Sequence, residues 1–181
     1  MNVSKYAPLL LCGITIALLS GCAASVKTGG NGNLSIPEPS KQNLTVNLQG
    51  SEKVEKNHDW AQLKQDFSDA LQVEASHAGY KIEEKPVFDI DKADGIGITL
   101  KVSNFRYLSR GARYGAGVMV GNAWVNSTAE YYDLRSGQLI GVRTYDTSSS
   151  AWEGVMSAMT QEQVQAIAKQ VINDIKKAKS R

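Results

Sequence analysis

Few side chains in this sequence could do chemistry, and their spacing keeps most of them apart. The only two histidines, His58 and His77, bracket a stretch of helical periodicity. At ~1.5 Å per residue they would lie roughly 28 Å from each other, too far to share a metal or a proton. The run Asp89-Ile90-Asp91-Lys92-Ala93-Asp94-Gly95 has the carboxylates of a calcium loop in the wrong register. Its third acid and its glycine arrive one place late, and the twelfth position is Leu100 where a bidentate glutamate is needed. No metal site is expected. Gly111, Gly115, Gly117 and Gly121 lack the spacing and the following helix of a dinucleotide fingerprint, and no Gly-Lys-Ser/Thr supplies a P-loop. No cofactor is expected either. Ser148-Ser149-Ser150 has no identifiable base, and Gly-x-Ser-x-Gly is absent. No catalytic set assembles.

What remains is a cluster suited to binding. Arg106, Tyr107, Arg110, Arg113 and Tyr114 precede Gly115 and Gly117, with Trp124 close behind. Guanidinium and aromatic groups together can grip phosphate, carboxylate or glycan faces. The glycines also show GxxxG spacing twice, but Arg110, Arg113 and Asn122 interrupt any membrane span. They read either as a loop with positive φ or as an edge where another chain meets the backbone.

Composition sets the wider limits. Of 181 residues, 42% are hydrophobic and 21% charged, which suits one globular domain and excludes a wholly disordered or polytopic chain. Twenty basic groups against eighteen acidic leave +2, a field too weak to suggest nucleic acid.

The first residues carry an address. Met1 to Pro8 holds one cation, Lys5, and precedes the apolar run from Leu9 to Leu19. As a helix that run covers roughly 17 Å, short of the ~30 Å hydrocarbon core, so it reads as a signal-peptide h-region. The following Leu19-Ser20-Gly21-Cys22 resembles the lipobox of bacterial lipoproteins. That resemblance implies a signal peptide over 1–21, cleavage between Gly21 and Cys22, and acylation of Cys22 with diacylglycerol and a further chain such as palmitate. By resemblance to enterobacterial lipoprotein sorting, Ala23, standing where an aspartate would retain the protein at the inner membrane, implies an outer-membrane location with the domain in the periplasm. Cys12 leaves with the signal, so neither a disulfide nor a cysteine nucleophile is expected.

Residues 22–42 have the composition of a flexible tether, rich in Gly, Ser, Asn and Pro. The globular domain is then expected over 43–181. Leu44, Val46 and Leu48 alternate as a strand, and Asp59 with Gln62 opens a helix through Trp60, Leu63, Phe67, Ala70 and Leu71 that stops at Gly79. Strands are expected over 80–87, from Ile96 through Val102, over 118–133 and over 139–147, with a hairpin turn at Leu134-Arg135-Ser136-Gly137-Gln138. Thr160 and Gln163 cap a last helix carrying Val164, Ile167, Ala168, Val171, Ile172 and Ile175 on one face. The predicted fold is α+β: a two-layer sandwich in which two amphipathic helices cover one face of an antiparallel sheet of four to five strands, the other face being polar or partner-facing.

With Arg106, the glycine run from Gly111 to Gly121, the turn Asp133-Leu134-Arg135-Ser136-Gly137 and the closing helix placed, the chain from about Asn43 to Lys179 resembles the domain-of-unknown-function 4410 family of bacterial lipoproteins. The resemblance implies a lipoprotein address and a small α/β domain, and brings no catalytic residues. The expected function is therefore a non-enzymatic, lipid-anchored binding domain. Its expected partners are the membrane through the lipid, an envelope protein or peptidoglycan, and possible further copies of itself. The alternatives are an accessory to envelope assembly or secretion, and a cell-envelope hydrolase using Asp89, Asp91, Asp94, Glu130 or Asp133. The hydrolase requires a cleft that gathers two of those carboxylates.

Overall fold

A computed structural model describes residues 24–30, 34–90, 94–109, 122–148 and 160–178. Six strands form one sheet: β1 (Val26–Gly29), β2 (Asn43–Gly50), β3 (Lys81–Glu84), β4 (Ile96–Arg106), β5 (Trp124–Asp133) and β6 (Leu139–Ser148). The helices are α1 (Glu52–Glu55), α2 (Trp60–His77) and α3 (Thr160–Lys177). The spatial order is β1-β6-β5-β4-β2-β3.

The α+β class stands, and the finer expectation is corrected. Among the described residues the sheet is mixed and has six strands, and there are three helices. β2 pairs in parallel with both β3 and β4, while β1, β6, β5 and β4 are antiparallel in turn. The reason lies in α2. A parallel return needs a crossover of a dozen or more residues, and the eighteen residues of α2 supply one between β2 and β3. Alternation alone reports which face a side chain takes and says nothing of strand direction.

The second correction concerns residues 22–42. Val26–Gly29 is a strand whose Val26 stands opposite Thr147 of β6, and Leu34 and Ile36 are buried in the core. Residues Glu38–Gln42 form a 3-10 turn, and the buried Lys41 ammonium donates to the carbonyl of Ala178 at 2.9 Å. A cation at the last carbonyls of a helix also meets the negative end of its dipole. The folded body thus begins by Val26. Two isolated aliphatic residues among turn formers hid a core segment.

Helix α2 buries Trp60, Leu63, Phe67, Leu71 and Ala75, a stripe at spacings of three and four. It ends in a Schellman turn: Tyr80 N–H bonds the Ala75 carbonyl, Gly79 N–H bonds that of Ser76, and Gly79 takes φ 79°. Its expected capping box is not made. Asp59 gives no side-chain cap bond, and Gln62 donates to Asp66 one turn on. The pair at α3 is also used differently. The Thr160 hydroxyl accepts from Leu108 N–H at 2.7 Å and Gln163 donates to the Ala123 carbonyl at 2.9 Å, so both side chains stitch the helix start to the sheet.

Both long helices lie on one face. Against them stand Leu44, Val46, Ile96, Ile98, Leu100, Val102, Val125, Ala129 and Tyr131, all buried. Polar groups inside this layer are paired. Tyr131 and Tyr145 share a hydrogen bond at 2.7 Å, and Tyr145 donates to Asp174 of α3 at 2.6 Å. Burial is the main cause that raises the pKa of both phenols, so they stay neutral donors. Asp174→Ala should therefore cost about 1–3 kcal/mol, the penalty for a buried hydroxyl left without its acceptor. The same change in a Tyr145→Phe background should cost much less. A double-mutant cycle by chemical denaturation reads the difference.

Candidate functional site

The opposite face of the sheet is built by the other half of each alternation. On β5 the exposure alternates strictly from Trp124 to Tyr131, with Trp124, Asn126, Thr128 and Glu130 outward. Register places Thr99 of β4 opposite Glu130, and Thr144 and Asp146 of β6 opposite Thr128 and Asn126. Cross-strand bonds tie this polar surface together. Lys101 reaches Glu130 at 2.6 Å, Tyr132 donates to the same carboxylate at 2.7 Å, and Asn126 donates to Asp146 at 2.9 Å. The Lys101 and Tyr132 hydrogen bonds lower the pKa of Glu130.

That shift has a sign that can be tested. A carboxylate whose folded pKa is depressed adds stability above its unfolded value, near 4.5, and loses it as the pH falls through the folded value. Lys101→Met should therefore flatten the acid side of the stability profile below about pH 4.5 and leave the neutral region changed by less than about 1 kcal/mol, as for an exposed pair. Denaturation midpoints between pH 3 and pH 7 check this.

One end of this face is partly covered. After β3 the chain turns back over the sheet: Asn47 donates to the Pro86 carbonyl at 2.8 Å, and Phe88 tilts against Tyr132 with ring centroids 5.9 Å apart. Gly97 admits it, because a Cβ there would come within 2.9 Å of the Phe88 ring and of Leu134. Around this cover Val87, Ile90, Leu139 and Val142 are exposed apolar side chains. Sequence reading passed over them, although Val142 and Leu139 fall on the outward positions of a strand.

At the other end lies the part of the basic and aromatic cluster that the structure describes. Arg106 and Trp124 are register partners, and the guanidinium carbon sits 5.6 Å from the indole centroid, within cation–π range. Tyr107 donates to Asp66 of α2 at 2.7 Å. Burial first, and then this bond, raise its pKa, so Tyr107 is a neutral positioning group that fixes the end of β4 to α2. Asp66 was not singled out from sequence. The Trp124 indole nitrogen is buried without a hydrogen-bond partner among the described residues. Arg110, Arg113, Tyr114, Gly115 and Gly117 lie outside the described residues, as do Gly21 and Cys22.

The described candidate acids do not meet in a cleft. Asp94 pairs with Arg135, whose Nε donates at 2.7 Å. Asp133 accepts from Arg135 N–H at 3.0 Å and from the Ser136 hydroxyl at 3.1 Å, closing the hairpin in which Gly137 takes φ 68°. These two carboxylates share one exposed turn, held there by the turn's own donors. Asp89 pairs with Lys85 on the surface and Glu130 with Lys101, while Asp91 lies outside the described residues. His58 lies beside Asp59 with its ring in solvent, and His77 ends α2. Among the described residues no three metal-ligating side chains converge. An open groove of about 500 Å³ beside β2 and β3 is lined by Asn43, Thr45, Lys81, Glu83, Asp94 and Leu134, but its two carboxylates face different partners: Glu83 meets Lys85 and Asp94 meets Arg135.

No family model and no curated protein matches the chain, so the resemblance to the domain-of-unknown-function 4410 family stands on the quoted motifs alone. Solved structures match its fold. Two structures of the PelC dodecamer from Paraburkholderia phytofirmans are 12% and 13% identical, with TM-scores of 0.53 and 0.50. They cover 83% and 80% of this chain and 97% and 96% of theirs. Protein XCC0632 from Xanthomonas campestris is 12% identical with a TM-score of 0.46, over 83% of this chain and 90% of its own. At such identities the likeness is one of fold.

Proposed function

We propose that this chain is a bacterial outer-membrane lipoprotein, anchored through Cys22, whose periplasmic domain is a non-enzymatic interaction module that assembles first with copies of itself. The observation that carries this reading is the two-sided sheet. One face is packed by α2 and α3. The other keeps an ordered polar surface bordered by exposed Val142 and Leu139 at one end and by the Arg106 and Trp124 pair at the other. Outward apolar groups at a polar rim are what a protein interface presents when unoccupied. A buried indole donor without a partner among the described residues adds a desolvation penalty of about 1–3 kcal/mol, which an incoming acceptor would relieve.

Two further facts favour assembly over catalysis. Each described candidate acid is engaged in a local ion pair or turn, leaving none poised as a general base. The PelC structures, similar in fold, are dodecamers, and self-association extends that property to this chain. The role fits an accessory component of envelope assembly or secretion better than a hydrolase.

A photo-reactive amino acid placed at Thr128 on the open face, in living cells, should give one defined adduct whose mass is a multiple of the chain's own. The same probe at Gln72 on the outer side of α2 is the control. Identical adduct patterns from both positions would contradict the proposal.

A further inference from the structure

The correction to residues 22–42 changes where the domain must stand. If those residues formed a loose tether, the body could stand tens of ångströms from the lipid. Instead Val26 already belongs to β1. Four residues from Cys22 to Val26 reach at most roughly 14 Å when fully extended. The chain enters the fold at one particular end of the sheet: Val26 stands opposite Thr147, Val125 opposite the same threonine, and Arg106 opposite Trp124 next to it. The ten residues of β5 then carry the chain roughly 30 Å away, to the Asp133 hairpin at the far end.

We infer that the sheet end bearing Val26, Arg106 and Trp124 faces the bilayer at headgroup level, with the Asp133 hairpin pointing away from it. This deepens the proposed function and rests on its reading of Cys22 as acylated. The chemistry at this end suits lipid headgroups. Arg106 stands over the Trp124 ring, and a cationic side chain over an aromatic ring at this end suits the headgroup region of a bilayer. Lys27 of β1, opposite Asp146 of β6, is exposed at the same end of the sheet. Of the acids at this end, Asp66 accepts from Tyr107 and Asp146 from Asn126, while Glu52 and Glu55 of α1 are exposed, with Glu52 paired to Lys56. Both long helices also start here. Thr160 bonds Leu108, and Trp60 packs by Gly50, which lies beside Val102, so the positive ends of two helix dipoles point the same way. In this orientation the open face and the edge strands β1 and β3 look sideways, along the membrane, where a second copy of the chain would be met.

The test uses the full lipidated protein in phosphatidylethanolamine and phosphatidylglycerol vesicles that carry a headgroup quencher. One fluorophore is attached through Asn104→Cys, near the proposed membrane end, and in a second sample through Ser136→Cys in the hairpin. Acylated Cys22 cannot take the dye. Quenching at position 104 should exceed that at 136 by about threefold or more, given the roughly 30 Å between them. Arg106→Glu should lower the signal at 104 without releasing the chain. Equal or reversed quenching in protein that stays on the vesicles would overturn the orientation alone. Dye on Cys22, or protein that washes off, would overturn the anchor and the orientation together.

Discussion

A chain shortened to begin at Asn43 is expected not to fold, although composition marks everything before that residue as dispensable. The truncation removes β1, and with it the antiparallel cover of β6, so an inner strand is left as a bare edge. It also removes Leu34 and Ile36 from the core, each worth about 1.5–3 kcal/mol of transferred apolar surface. Finally it removes Lys41 from the end of α3. Against a typical stability of about 5–15 kcal/mol, these losses together are decisive. Ile36→Ala alone should cost about 2–5 kcal/mol, because the side chain is fully buried and the space it leaves cannot collapse freely. Denaturant midpoints of the full and shortened chains check both statements. Unchanged stability would mean that the segment is the tether its composition suggests.

The second large effect is expected at Cys22. One acyl chain gives only reversible membrane binding, at about 0.8 kcal/mol per buried CH₂, whereas the three chains of a mature bacterial lipoprotein make release negligible. None of the described helices is long and apolar enough to cross a membrane, and a net charge of +2 gives weak attraction to anionic headgroups. Cys22→Ala should therefore move essentially all of the protein from the membrane fraction to the soluble one, while the wild type resists high-salt washing. In the proposed orientation the Arg106 and Trp124 end would orient an anchored molecule and add too little affinity to retain a free one. Fractionation followed by immunodetection reads this directly. Retention of Cys22→Ala at the wild-type level would sink the anchor.

How much of this was legible in the sequence depends on which signal each element sends. α3 was readable because Val164, Ile167, Ala168, Val171, Ile172 and Ile175 fall on one helical face whatever surrounds them. The hairpin after β5 was readable because Asp133, Ser136 and Gly137 carry its turn chemistry locally. The direction of β2 was not, since Leu44, Val46 and Leu48 alternate identically in parallel and antiparallel ladders. β1 was missed because four residues with no more than Val26 inward carry no period, and its stability comes from β6, more than a hundred positions away. The capping boxes misled because Thr160 and Gln163 have the right types at the right spacing yet spend their hydrogen bonds on Leu108, Ala123 and Thr147.

At the site the same division holds. Arg106, Tyr107 and Trp124 could be named from composition, and the structure draws Arg106 and Trp124 together because a long antiparallel register sets them opposite each other. Asp66 and Lys101 could not be named, since each owes its role to a neighbour distant in sequence, and Glu130, named as a candidate acid, is held by Lys101 and Tyr132. The acids Asp94 and Asp133 drew attention as chemistry and proved to belong to a turn built around Arg135.

The claim on which the functional account turns is that the open face of the sheet exists to meet another copy of the chain. The direct measurement is the native mass of the lipidated protein extracted in mild detergent, taken for the wild type and for a Thr128→Arg variant that sets a new charge in the middle of that face. The account predicts a defined oligomer for the wild type and a monomer for the variant, with the two equally stable to denaturant. A wild type that is monomeric at every concentration, or a variant that assembles just as well, contradicts it.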